Sequence, residues 1–239
     1  MHLRKTGNVG DLACSPGAYF DFGKAEAIDI GQEAPACALA VLGGGQIYQQ
    51  VVDAAIYRTA AAKKRVVWGV GITKRQTRDI TFDILNASCA LIGSRNWRVP
   101  GCAYVPCASA MSPLFDQPAA PRAEVVLFTH ARKSTAVQRP DGIPTMDNHG
   151  ASLEDVIAFL ASGETVVTNS YHGTYWAMCL GRRVLCLPFS NKFSHFRTNP
   201  VTADPADWLA DLGKAEARPE MLTDARRANQ QFYEKVMAL

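Results

Sequence analysis

Short apolar runs alternate with longer mixed segments along the 239 residues of the chain. Six of these runs predict β-strands, because they are four or five residues long, largely apolar and bounded by glycine or polar residues. They lie at residues 38–42, 65–69, 89–93, 125–129, 165–168 and 184–187. Strands that are apolar on both faces are typical of parallel sheets covered by helices on each side.

The segments between these runs carry helical signals. Residues 46–63 are rich in Ala and Gln with apolar side chains at helical spacing, and residues 153–161 follow Ser152, which can act as an N-cap with Asp155 in the capping-box position. Further helices are predicted at 172–180 and at 219–238. The strand–turn–helix alternation predicts an α/β fold.

One segment stands out as a linker. Residues 116–122 read DQPAAPR and carry two prolines between structured runs. We therefore expect two lobes of similar size, residues 1–118 and 119–239, each built on a parallel sheet.

Composition narrows the class of protein. Hydrophobic residues make up 48% of the chain and charged residues 20%, and the net charge of +3 is too small to predict a nucleic-acid partner. The N-terminal residues MHLRKTGNVGD contain no apolar stretch, which predicts no secretory signal, and no run approaches the roughly 18 apolar residues that a membrane span needs.

The seven cysteines are irregularly spaced and include no CxxC pair. This pattern predicts free thiols, no disulfide framework and no metal site. Cys37, Cys89, Cys179 and Cys186 lie among apolar or small residues and are expected to be buried. Together these features indicate a reducing compartment, so we expect a cytoplasmic protein.

Ligands of open parallel sheets bind beyond the carboxyl ends of the strands. Five clusters draw attention for this reason: GNVGD at 7–11, GGG at 43–45, GVG at 69–71, HARK at 130–133 and NSYHG at 169–173. Glycines let the backbone approach a ligand and present N–H groups to anions, although each cluster is also compatible with a simple tight turn. Neither GxGxxG nor GxxxxGK[ST] occurs, so the sequence gives no support for a nicotinamide or P-loop ATP site.

His172 is the sharpest single candidate, because it lies at a strand-to-helix junction where helix N–H groups favour bound anions. Lys192, Arg132 and Lys133 also follow predicted strands. Each of these cations is equally compatible with a solvated loop.

Four segments, taken in order, resemble the polysaccharide pyruvyl transferase family. They are GNVGD, VLGGGQIY, VVWGVGI and the block TVVTNSYHGTYWAMCLGRRVLCLPFSNKF, which ends in Lys192 and Phe193. The last block is the most specific, since it is similar to the family's strand, His-Gly, helix and terminal lysine. The four segments span residues 7–193, most of the chain.

The resemblance implies a glycosyltransferase-B-like fold of two Rossmann-like lobes with the active site between them. It implies phosphoenolpyruvate as donor, a saccharide acceptor that can be lipid-linked, and no cofactor. We assign catalysis to His172, as the acid or a donor contact, and to Asp11, which would orient or deprotonate a hydroxyl. The substrate-binding candidates are Asn8, Gly44, Gly45, Gly71, Arg95, Arg132, Asn169, Ser170 and Lys192.

The sequence departs from the family pattern at two positions where the family has a charged residue. Ser170 stands where the family has an arginine, and Asn96 stands where it has an aspartate. Two alternatives stay open. The same fold is compatible with a glycosyltransferase that uses a nucleotide-sugar, and the two departures are compatible with a degenerate member that binds a glycan without turnover. The acceptor sugar and its linkage are not encoded in any motif.

Overall fold

The computed structural model describes residues 1–47, 49–72, 82–134 and 136–239. The strands are β1 (Cys37–Gly43), β2 (Gln46–Ile47), β3 (Ala62–Ile72), β4 (Leu91–Ser94), β5 (Ala103–Tyr104), β6 (Ala123–Thr129), β7 (Thr145–Asp147), β8 (Gly163–Thr168), β9 (Arg183–Cys186) and β10 (Val201–Thr202). The α-helices are α1 (Val9–Leu12), α2 (Gln49–Arg58), α3 (Phe82–Ser88), α4 (Leu153–Ala161), α5 (Tyr171–Cys179) and α6 (Met221–Met237). Short 3₁₀ helices lie at Pro16–Ala18, Ala108–Met111, Pro113–Phe115, Asn191–Ser194 and Trp208–Lys214.

The chain forms two compact units. Unit 1 comprises Met1–Thr6, Asp11–Met111 and Ala225–Leu239, and unit 2 comprises Gly7–Gly10 and Ser112–Asp224. Every strand pair in both units is parallel. The predicted α/β class with two Rossmann-like lobes on parallel sheets is therefore confirmed.

Unit 1 is built on the sheet order β1-β3-β4-β5, with β2 also paired to β3. Its core includes Trp68 on β3, which packs edge-on against Phe232 of α6 with ring centroids 4.9 Å apart. The Trp68 indole N–H donates to the Asn229 side chain at 2.8 Å, so the polar edge of this buried ring is satisfied. These contacts place most of α6 in unit 1.

Unit 2 is built on the sheet order β10-β9-β8-β6-β7. Ser152 is the N-cap of α4. Its hydroxyl accepts from the Asp155 N–H and the Asp155 carboxylate accepts from the Ser152 N–H, which is the predicted capping box. Helix α5 is buried along its whole length, from Tyr171 to Cys179. A helix without a polar face belongs to the interior, and α5 accordingly packs on β8 and β9.

The predicted lobes 1–118 and 119–239 differ from the two units. The division after Met111 precedes the proline-rich segment, and the C-terminal residues 225–239 belong to unit 1. The predicted helix 46–63 is also too long: α2 ends at Arg58, and Tyr48 lies outside the described residues. Ala62 and Lys63 instead belong to β3, where Ala62 pairs with Cys37.

Among the helices of the described ranges, none is long and apolar enough to cross a membrane.

Candidate functional site

The carboxyl ends of the unit 2 strands are tied to the N-terminal segment Gly7–Gly10. The Asn8 side-chain oxygen accepts hydrogen bonds from the Asn148 side chain at 3.0 Å and from the Gly10 N–H at 3.1 Å. Gly7 accepts from the Gly150 N–H at 3.0 Å. Asn8 therefore holds the segment against the loop that follows β7. This is a structural role for a residue that was predicted to bind substrate.

The two glycines of this segment allow close approach to histidine rings. A Cβ atom at Gly10 would lie 2.0 Å from Nδ1 of His172, and a Cβ atom at Gly7 would lie 2.2 Å from Nε2 of His149. Any larger residue at position 10 would displace the His172 ring. The segment Gly7–Gly10 and the start of α5 at His172, far apart in sequence, are thus brought together in unit 2 through Gly10.

His172 lies in the first turn of α5 and is only 7% exposed. Its ring packs against Tyr171 at 5.6 Å and against Trp176 at 5.1 Å between centroids. Within the described part of the chain, Nε2 of His172 has no hydrogen-bond partner. A buried polar nitrogen without a partner is costly, and such groups are often explained by a ligand or a catalytic role.

Ser170 caps α5. Its hydroxyl accepts from the Gly173 N–H at 3.3 Å, and its carbonyl accepts from the Thr174 hydroxyl at 3.0 Å. The Ser170 N–H donates to the Thr168 hydroxyl at 3.0 Å. Ser170 thus fixes the start of the helix, whereas its predicted contact with substrate stays a prediction.

Asn169 fixes the loop that follows β6. Its side-chain oxygen accepts from the His130 N–H at 2.6 Å, and its side-chain nitrogen donates to the Lys133 carbonyl at 2.7 Å. The exposed Arg132 lies within that loop, and its N–H donates to Nδ1 of His130 at 3.2 Å. Asn169 therefore supports the loop that carries Arg132, while its own binding role stays a prediction.

Lys192 lies in the 3₁₀ helix that follows β9 and is half-buried. Its ammonium nitrogen lies 4.4 Å from the ring centroid of Phe189 and 5.0 Å from that of Phe193. Burial raises the pKa of the neighbouring Cys186 thiol to about 12, although the positive charge of Lys192 acts in the opposite direction.

In unit 1, the glycine-rich turn after β1 packs on Cys14. Gly44 and Gly45 have φ angles of +48° and +88°, which favour glycine. A Cβ atom at Gly44 would lie 2.1 Å from Cβ of Cys14, and one at Gly45 would lie 3.9 Å from the Asp11 carboxylate. The predicted candidates Asp11, Gly44 and Gly45 are therefore neighbours in unit 1.

Arg95 follows β4 and is 4% exposed. A Cβ atom at Gly71 would lie 2.2 Å from Nε of Arg95, so the guanidinium lies directly against the carboxyl-terminal part of β3. The N–H groups of Gly44 and Gly71 themselves donate to the carbonyls of Trp68 and Gly45, each at 2.8 Å. These two N–H groups are therefore already engaged.

The sequence did not predict that two thiols of unit 1, those of Cys14 and Cys107, lie close together. The sulfur atoms of Cys14 and Cys107 lie within 4.8 Å of each other, and both residues are buried. A hydrogen bond with Cys107 and burial raise the pKa of the Cys14 thiol, whereas the Arg95 charge lowers it. The two cysteines are far apart in the chain, so no local spacing marks them, and the expectation that the protein holds no metal stays a prediction.

The burial predicted for the cysteines is only half right. All seven are free thiols, and Cys179 and Cys186 are buried as expected. Cys37 and Cys89 are only half-buried, because Cys37 is the first residue of β1 and Cys89 lies just before β4. Residues at the ends of strands are closer to the surface than those in the middle.

No protein-family model matches the chain, and no curated protein matches it. Solved structures similar to it include a functionally uncharacterised protein from Klebsiella pneumoniae, with 14% identity and a TM-score of 0.49 over 78% of this chain and 81% of that chain. Another is a provisionally named UDP-N-acetylglucosamine 2-epimerase from Listeria monocytogenes, with 10% identity and a TM-score of 0.46 over 80% of this chain and 66% of that chain. Similarity at this level carries no functional argument.

Proposed function

We propose that the chain is a transferase that moves the pyruvyl group of phosphoenolpyruvate onto two hydroxyls of a saccharide as a cyclic ketal. The observation that carries this proposal is His172, which is buried in the first turn of α5 with Nε2 unpartnered among the described residues and with Gly10 against Nδ1. The helix N-terminus around it favours anions. Two of the motifs that resemble pyruvyl transferases thereby contribute to one place in unit 2.

The chemistry needs an acid beside a small dianion. A proton from the His172 imidazolium adds to the methylene carbon of the donor, and the neighbouring carbon, which bears the phosphate oxygen, becomes electrophilic. One saccharide hydroxyl attacks this carbon and phosphate leaves. A second hydroxyl then closes the ketal, and the two hydroxyl protons restore His172 and protonate the phosphate. The products are the ketal and inorganic phosphate, so no oxidant or cofactor enters the balance.

The donor also needs cations, because it carries a carboxylate and a phosphate. Ser170 cannot supply a charge, and its hydroxyl is engaged in capping α5. Lys192 and Arg132 both follow strands of unit 2 and are the candidates there, while Arg95 is the buried cation at the strand ends of unit 1. Asp11 retains its predicted role toward the acceptor hydroxyl.

Calorimetric titration with phosphoenolpyruvate tests the proposal. We expect the wild-type protein to bind the donor and His172→Gln to bind it about tenfold to a hundredfold more weakly, since a hydrogen bond to a charged group contributes about 1.5–3 kcal/mol. His149→Gln, which changes an exposed histidine of the same unit, should bind like the wild type.

The alternatives give different results in the same titrations. A nucleotide-sugar glycosyltransferase would bind a nucleoside diphosphate and not phosphoenolpyruvate. A degenerate glycan-binding protein would bind saccharides with no donor at all. Either result would overturn the pyruvyl-transfer proposal.

A further inference from the structure

An aromatic cluster joins Lys192 to His172 within unit 2. We define this cluster as Phe189, Phe193 and Tyr171. Phe189 and Phe193 meet nearly edge-to-face with centroids 5.4 Å apart, and Phe193 lies 6.3 Å from Tyr171. Tyr171 in turn lies perpendicular to the His172 ring at 5.6 Å. The three rings therefore form a continuous path of contacts between Lys192 and His172, the two residues that the proposed function assigns to the donor.

The inner part of the cluster is fixed by packing. Phe193 is only 2% exposed, and Tyr171 stacks almost flat on Phe196, with centroids 4.8 Å apart and an interplanar angle of 8°. Phe189 is the outer member and is 36% exposed. The His130 ring lies 5.6 Å from Phe189 in a perpendicular arrangement, so this exposed ring is still held on the side of β6.

The cluster restrains the Lys192 ammonium. Lysine has a long flexible stem and loses considerable entropy when its head is held in one place. Here the ammonium lies within 6 Å of the faces of two rings, where cation–π attraction is favourable. Because Phe193 is buried, the ammonium is held beside these two rings, in the segment that follows β9, before any ligand arrives.

We propose that Phe189 is a positioning residue, which together with Phe193 holds the Lys192 ammonium where it meets the carboxylate or phosphate of a small dianionic donor. This inference rests on the proposed function for the identity of the donor, but the placement of the ammonium rests only on the geometry. Preorganisation of this kind increases affinity because the ordering of the lysine is already complete in the free protein.

A double-mutant cycle measured by calorimetry with phosphoenolpyruvate tests the proposal. Phe189→Leu should weaken donor binding about threefold to thirtyfold, the range of one cation–π contact, and Phe189→Tyr should restore wild-type affinity because it keeps a ring face. In the Lys192→Met background, Phe189→Leu should have no further effect. Tyr57→Leu, at a 75% exposed aromatic residue of α2, is the matched control and should bind normally.

Two outcomes of this cycle would overturn the proposal. One is a Phe189→Leu variant that binds the donor as well as Phe189→Tyr does. The other is a loss from Phe189→Leu that is equally large when Lys192 is already Met, because the ring would then act through something other than the ammonium.

A spectroscopic measurement separates this inference from the proposed function. In the free protein with labelled lysine, ring currents should shift the Lys192 Hε resonance upfield, and Phe189→Leu should remove most of that shift while Phe189→Tyr keeps it. An unshifted Lys192 resonance in the wild type would overturn the ammonium placement. A shifted resonance in a protein that binds no phosphoenolpyruvate would support the placement and overturn the donor assignment.

Discussion

Both units have closely packed glycines, but unit 2 adds a network of side-chain amides at its strand ends. In unit 1 Gly44 packs on Cys14 and Gly71 packs on Arg95, and in unit 2 Gly10 packs on His172 in the same way. In unit 2 three asparagines, Asn8, Asn148 and Asn169, connect the loops through their side-chain amides. Close packing permits little change in volume, whereas an amide network fixes positions through hydrogen bonds.

This difference between the units predicts which substitutions change stability and which change binding and catalysis. Gly44 and Gly71 have no space for a Cβ atom, so substitutions at these two positions should act first on stability. The network of unit 2 is satisfied at Asn8 and Asn169 but leaves Nε2 of His172 unpartnered among the described residues. Substitutions around His172 should therefore act first on binding and catalysis.

The largest expected effect on stability is that of Gly44→Ala. Its φ of +48° strains a non-glycine residue, and the added Cβ would also lie 2.8 Å from the Cys14 carbonyl oxygen. We expect a loss of about 2–5 kcal/mol in the free energy of unfolding, measured by urea denaturation.

Gly23→Ala is the matched control, because Gly23 has a φ of +67° but no atom within 4 Å of the new Cβ. It should cost about 1–2 kcal/mol, the backbone part alone. Equal losses in the two variants would show that packing on Cys14 does not constrain the turn.

A somewhat smaller effect is expected from the cations of unit 2. Lys192→Ala and Arg132→Ala should each weaken phosphoenolpyruvate binding by roughly tenfold to a hundredfold, because each removes a charged hydrogen-bond donor. Arg122→Ala should leave binding unchanged, since the exposed Arg122 directly precedes β6, at the end of that strand opposite to His130. If neither of the first two variants changes the affinity, the idea that they compensate for Ser170 is wrong.

The smallest effect concerns the pH dependence of unit 1. The Asp29 carboxylate accepts hydrogen bonds from three backbone N–H groups, those of Gly31, Arg4 and Lys5, which lower its pKa. Asp29→Asn should reduce the free energy of unfolding at pH 7 by about 1–3 kcal/mol.

Because the folded pKa of Asp29 is depressed, its stabilising contribution is present above the unfolded pKa of about 4 and disappears as the pH falls through the folded value. The stability difference between wild type and Asp29→Asn should therefore shrink in acid. Asp141→Asn, in an exposed loop, should show no difference at any pH. A gap that stays constant below pH 4 would contradict the role of the ionised carboxylate.

Local sequence patterns predicted the helices and strands whose positions depend on local interactions. The capping box at Ser152 and Asp155 gives α4 its observed start, and the apolar runs locate six strands to within a few residues. The short strands β2, β5, β7 and β10 were missed, because two or three residues carry no periodicity. The two units differ from the predicted lobes for a different reason: α6 belongs largely to unit 1 through Trp68 and Phe232, a contact between distant parts of the chain.

In the candidate site, too, local motifs were visible in the sequence and contacts between distant residues were not. The local motifs GNVGD and His-Gly drew attention to the segment that contains Gly10 and to His172, although Gly10 itself was not a predicted site residue. The capping role of Ser170 follows from its place before α5, but the amide network of Asn148 and the thiol pair of Cys14 and Cys107 depend on tertiary contacts. No sequence signal predicted the rings around Lys192.

Turnover with labelled donor tests the central claim most directly. Purified protein is incubated with ¹³C-phosphoenolpyruvate and a panel of saccharide acceptors, and both released phosphate and label in the saccharide are measured. We predict equal amounts of phosphate and labelled ketal with the wild type, and a rate about a hundredfold or more lower with His172→Gln. Phosphate release without label in any saccharide, or a His172→Gln variant as fast as the wild type, would contradict the account.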